Sequence, residues 1–181
     1  MKRSKSIALV MMSASTIALS ACDEPTVDAA VFDTLEQCIN DPVISESQCR
    51  TEFAAAKEQH VKAAPKYASR ADCEADFGAE QCEQAPQRTQ SGGSVFMPLM
   101  MGYMMGSMLA GNRGGVASQP LYRSTDDPKN YRTADNKKIG GKTGATKVAQ
   151  SAARSPSIKT STVSRGGFGA RARSTGFTGR S

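Results

Sequence analysis

Phe96-Met97-Pro98-Leu99-Met100-Met101-Gly102-Tyr103-Met104-Met105-Gly106-Ser107-Met108-Leu109-Ala110 is the stretch on which the fold turns. Six of the nine methionines lie in it, at 97, 100, 101, 104, 105 and 108. Steps of three and one put all six on one stripe of an α-helix. Gly102, Gly106 and Ala110 follow one another at i+4 on another face, a pattern that lets two helices approach closely. Pro98 suits a first helical turn. Read this way, residues 96–110 form a short apolar helix of about 22 Å, less than the roughly 30 Å of a bilayer core. Such a segment does not span a membrane and needs a partner. Met97, Met100, Met101, Gly102, Met104, Met105, Gly106 and Met108 are therefore the candidate interaction residues, for a protein partner or for self-association. Thioethers also accept Cu(I), which makes envelope copper binding the alternative function. No His or Cys stands nearby to strengthen that alternative, and no metal site is assigned.

Before this stretch stand Cys38, Cys49, Cys73 and Cys82, an even count that in an exported chain reads as two disulfides. An internal repeat selects the pairing. Phe32-Asp33-Thr34 with Cys38 and Cys49 is echoed by Tyr67-Ala68-Ser69 with Cys73 and Cys82. Thr34 with Gln37, and Ser69 with Asp72, have the form of helix N-caps. Each unit is then a short helix stapled to the loop after it, giving Cys38–Cys49 and Cys73–Cys82. Each bridge contributes on the order of 3 kcal/mol in the chain-entropy model. Glu46 to Ala63 reads as a helix, with Phe53, Ala56, Lys57, His60 and Ala64 near one face and Pro65 as its stop. Residues 32–86 are expected to be a small all-α, disulfide-stapled head. A zinc site wants closer cysteine pairs, and the C-x-x-C redox motif is missing. His60, the single histidine, reads as a partly exposed packing residue, and Glu36, Asp41 and Asp76 as a solvated face. No catalytic residue and no cofactor is assigned, so the chain reads as non-enzymatic.

Leu19-Ser20-Ala21-Cys22 sets the compartment. Lys2, Arg3 and Lys5 precede an uncharged apolar run from Ile7 to Leu19, and small residues lead to Cys22. That is a charged region, an apolar region and a small-residue cleavage site, the secretory layout. A cysteine at the cut marks a lipoprotein signal peptide over residues 1–21, with Cys22 the lipidation site. Acyl chains contribute about 0.8 kcal/mol per buried CH₂. The membrane, reached through this anchor, is the first expected partner. Asp23 resembles the inner-membrane retention residue of enteric lipoproteins, which places the chain in the bacterial envelope, facing the periplasm.

Charge divides what remains. Residues 22–111 hold 6 Lys and Arg against 14 Asp and Glu, while residues 112–181 hold 14 against 3. With no Trp, six Phe and four Tyr, the core is expected to be small. Residues 111–181 lack periodic apolar faces and are rich in Gly, Ser, Thr and basic side chains, which reads as a long disordered basic tail. Gly140-Gly141-Lys142-Thr143 lacks the first glycine and the strand of a phosphate loop. Arg165-Gly166-Gly167-Phe168-Gly169 resembles RNA-binding tracts, yet an exported chain meets no nucleic acid. The expected order is signal 1–21, linker 22–31, head 32–86, linker 87–95, helix 96–110 and tail 111–181.

Several runs together resemble the YgiB family of bacterial envelope proteins. They are Ala64-Pro65-Lys66-Tyr67-Ala68, Cys73, Phe77-Gly78, Gln81-Cys82 and Gln84-Ala85-Pro86. They continue through Met97-Pro98-Leu99-Met100, Gly102-Tyr103-Met104-Met105-Gly106, Gln119-Pro120-Leu121 and Thr162-Val163-Ser164-Arg165-Gly166-Gly167-Phe168-Gly169. The family has no established activity, so the resemblance implies an envelope location and assigns no catalytic residue.

Overall fold

The computed structural model describes residues 24–89, 92–106, 116–159, 162–163 and 168. Its first element is a strand, β1 (Thr26–Phe32), in the stretch expected to be a linker. Along β1, Ala29 and Val31 enter one apolar cluster while Ala30 and Phe32 enter another. Side chains alternate across a strand, so this segment is apolar on both faces and lies inside the fold.

The methionine stretch is two strands. β4 (Ser94–Pro98) ends at the proline, and β5 (Gly102–Gly106) pairs antiparallel with β1, Tyr103 opposite Phe32 and Met105 opposite Ala30. Tyr103 and Met105 face one way, into the cluster with Phe32, while Met104 faces the other, with Val31 and Leu121. An apolar run buried on both faces shows no alternation, so its spacing also fits a helical stripe. The distinction lies at Gly102: a Cβ there would sit 2.8 Å from the Phe32 carbonyl oxygen, and the glycine permits β1 and β5 to meet.

The basic segment also folds. β6 (Gln119–Ser124), β7 (Asp127–Thr133), β8 (Lys138–Gly140) and β9 (Gly144–Ala149) complete a six-stranded sheet in the order β8-β7-β6-β5-β1-β9, every neighbouring pair antiparallel. Laid flat, its outer strands would stand about 24 Å apart. Four peptide steps join Gly140 to Gly144 and reach at most about 15 Å. The sheet therefore curls until β8 and β9 approach, a nearly closed barrel. Both of those glycines have positive φ, 105° and 83°, which lets the connection turn tightly. Val31, Met104, Leu121, Tyr131 and Val148 fill the interior, and Ala153 of α4 (Gln150–Ala153) joins them at the end where β1 begins.

Outside the barrel lie α1 (Leu35–Ile39) and α2 (Glu46–Ala63). Thr34 caps α1 by accepting from the Gln37 amide, and Ser45 caps α2 from Gln48. Cys38–Cys49 joins the two, with Cα atoms 5.8 Å apart, over Phe32, Phe53, Tyr103 and Met105. A second sheet, in the order β10-β2-β4-β3, uses β2 (Lys66–Tyr67), β3 (Cys82–Arg88), β4 and β10 (Thr162–Val163). The helix α3 (Arg70–Phe77), capped by Ser69, packs against it, and Cys73–Cys82 closes it onto β3. Tyr122, Ala134 and Phe168 share this third cluster.

The all-α head, the methionine helix and the disordered tail are thus corrected. The helices of residues 32–86 cover and flank a mostly β fold. In the expected linker 87–95, β3 runs to Arg88, the Thr89 amide donates to the Gly93 carbonyl, and β4 starts at Ser94. Lys129, Lys138 and Lys147 occupy exposed strand positions, Arg132 is buried, and the inward residues between them supply the core.

Candidate functional site

The methionines do not converge. Met97 is buried against Phe77 and Val95, and Met104 lies inside the barrel. Met105 packs on the Cys38–Cys49 side, and Met100 lies partly buried beside it. Met101 is 37 % exposed, and Met108 lies outside the described residues. Gly102 and Gly106 serve strand pairing rather than helix approach. The stripe needed for self-association or Cu(I) capture is therefore absent among the described residues. Cys22 also lies outside the described residues.

Two polar clusters replace it. The first surrounds His60, only 6 % exposed, on the face of α2 turned toward β6 and β3. Its Nδ1 lies 2.9 Å from the Tyr122 hydroxyl and its Nε2 lies 3.1 Å from Glu83 Oε1. Burial lowers the imidazole below its usual value, opposed by Glu83 and helped by Lys66 and Lys57. The neutral ring satisfies both contacts, with the Tyr122 O–H donating to Nδ1 and Nε2–H donating to Glu83. Burial raises the Tyr122 hydroxyl well above its ordinary value, so it stays a donor. His60 is thus a buried, doubly bonded residue, correcting its reading as a partly exposed packing residue.

Asp76 is corrected with it. It is buried and accepts the Tyr67 hydroxyl at 2.9 Å, which is no solvated acid's role. Burial, then Asp76, raises the Tyr67 hydroxyl. Beside this pair, the Lys66 ammonium donates to the carbonyls of Val61, Lys62 and Ala64 at 3.3, 3.1 and 3.4 Å, satisfying the end of α2. Phe168 closes the cluster, 4.9 Å from Phe77 and 6.1 Å from Tyr122 between ring centres.

The second cluster occupies the barrel end where β1 stops. The Tyr131 hydroxyl donates to Asp33, and burial, then that carboxylate, pushes the phenol up to about 12. Arg123 lies over the Tyr131 ring, 4.1 Å from its centre. Gln37 accepts the Asp33 amide at 2.7 Å and donates to Thr143 at 3.1 Å. Sequence reasoning missed this cluster because its members come from the residue after β1, from α1, β6 and β7, and from the loop before β9. Neither Arg123 nor Tyr131 stands in a motif.

A family model described as a protein of unknown function, DUF1190, matches residues 26–179, from the start of β1 through Phe168 and beyond. A UPF0441 protein of Erwinia tasmaniensis is 42% identical over 166 residues, covering 83% of this chain and 74% of the relative. One of Sodalis glossinidius is 39% identical over 164 residues, with the same coverage. One of Yersinia pestis is 35% identical over 189 residues, covering 92% and 82%. No solved structure matches. The chain belongs to the DUF1190 family, together with these UPF0441 relatives.

Proposed function

We propose that this DUF1190 protein is an envelope lipoprotein of the YgiB type. It is held by lipid on Cys22, faces the periplasm from the inner membrane, and acts through contacts rather than catalysis. The observation that carries the reading is the pair of disulfides, Cys38–Cys49 and Cys73–Cys82, each stapling a capped helix. Such bridges belong to oxidising compartments, and the Leu19-Ser20-Ala21-Cys22 signal leads to one. Glu24 supports the anchor: its carboxylate accepts the Ser151 amide at 2.6 Å, and the Pro25 carbonyl accepts from Gln150. The fold is therefore engaged two residues after Cys22, a reach of about 7 Å, which holds the α4 end of the barrel at the bilayer. β1 spans about 23 Å, so its far end faces away from the lipid. His60, buried and bonded through its two ring nitrogens to Tyr122 and Glu83, ties α2 to β6 and β3.

Cells grown with labelled palmitate are expected to label the wild-type protein and not Cys22→Ala. Equal labelling of the two proteins would end the reading.

A further inference from the structure

We infer that the end of the barrel beyond the last residue of β1 binds a small carboxylate-bearing molecule through Arg123. The inference needs no lipid anchor and concerns a different part of the molecule.

Among the described residues Arg123 is the arginine that is at least half-buried and has no carboxylate partner; Arg88 and Arg154, also without one, are exposed. Arg132 is paired with Asp127 at 3.1 Å, Arg50 with Glu46 at 2.7 Å and Arg70 with Glu74 at 3.8 Å. Its Nε is buried without an acceptor, as is that of the paired Arg132, and the guanidinium also bonds the Tyr131 hydroxyl, so the missing carboxylate is what sets Arg123 apart. A buried guanidinium N–H without an acceptor is costly, since the donor loses the bond it had in water. Here the position is fixed rather than accidental. The planar group stacks on Tyr131, and Tyr131 is itself pinned by Asp33 at its hydroxyl. Arg123 is only half-buried, so one edge of its donor fork remains open.

The surroundings define the ligand. Gly102 touches this end, where an added Cβ would meet Tyr131 at 3.4 Å and the Asp33 Cα at 3.6 Å, so the wall is backbone. Gln37 ties Asp33 to Thr143, whose hydroxyl accepts from Gln37 and keeps its own proton for donation. Lys142, exposed, stands next in the chain. A planar carboxylate matches the guanidinium fork with two parallel bonds. The Asp33 carboxylate, bonded to Tyr131 on the same rim, repels an anion of higher charge, which favours a single carboxylate over a phosphate. Barrel mouths are frequent places for small-molecule sites.

The test is a titration of the full chain with N-acetylglycine at constant ionic strength, read by the NMR signals of the arginine Nε–H groups and backbone amides. Saturable shifts are expected at Arg123, Gly102, Gln37 and Thr143. Arg123→Gln is expected to weaken the apparent affinity about tenfold or more, and Arg123→Lys to weaken it because the fork is lost. Arg154→Gln, at an exposed arginine at the opposite end, is expected to bind as wild type. The amide spectrum of each variant reports its folding in the same experiment. Shifts that are absent, or that survive unchanged in both Arg123 variants, would overturn the site. Tighter binding of inorganic phosphate than of N-acetylglycine would overturn the ligand class.

Discussion

Gly102→Ala separates the barrel from the helix that the sequence allows, because the two predict opposite signs. In a helix interior, alanine is more stable than glycine by about 1 kcal/mol. In β5 the new methyl group would lie 2.8 Å from the Phe32 carbonyl oxygen, 3.4 Å from the Tyr131 ring and 3.6 Å from the Asp33 Cα. The first contact is with backbone in a paired strand, so no side chain can rotate away. Either β1 and β5 move apart or the barrel end deforms. Overpacking of this kind costs typically 1–3 kcal/mol. For a chain of this size, 2 kcal/mol lowers Tm by roughly 4–8 °C. Gly106→Ala is the control, since its added Cβ would meet Val116 at an ordinary 3.6 Å. Thermal unfolding followed by circular dichroism measures both. A Gly102→Ala protein as stable as wild type, or more stable, would refute the close approach of β1 and β5.

Two further outcomes follow from the packing. His60 is held neutral below its ordinary value of 6.5, so the unfolded chain binds the proton first as the pH falls. The stability it contributes is present above 6.5 and is lost as the pH falls through the lowered folded value. Urea unfolding between about pH 7.5 and 5.5 is expected to show a decline on the order of 1 kcal/mol in wild type and a flat profile in His60→Gln. Carboxylates such as Glu24, lowered by Ser151, and Asp127, lowered by Asn130, change charge below that window. In the methionine stretch, Met104→Ala is expected to cost about 2–5 kcal/mol, against at most about 0.5 kcal/mol for Met101→Ala. Similar urea midpoints for these two variants would mean that the side chains do not divide between the barrel interior and the surface.

The amino-acid sequence by itself determined what depends on a few neighbouring residues. Thr34 and Ser69 cap their helices, and Glu46–Ala63 is helical to its written ends. The repeat around the cysteines names the partners that lie 5.8 and 6.2 Å apart between Cα atoms. Cap bonds and short-loop closures span only a few residues, so their signals stay in the local text. Only the tertiary structure decided the sheets. Residues 96–106 satisfy helical and extended spacing alike, and it is the register with β1, about seventy residues earlier, that selects the strand. Residues 119–149 look solvated because each inward side chain stands among polar neighbours, and Leu121, Tyr131 and Val148 meet only once the barrel curls. The same curling brings Asp33, Arg123, Tyr131 and Thr143 to one rim, a juxtaposition of distant residues that no local pattern records.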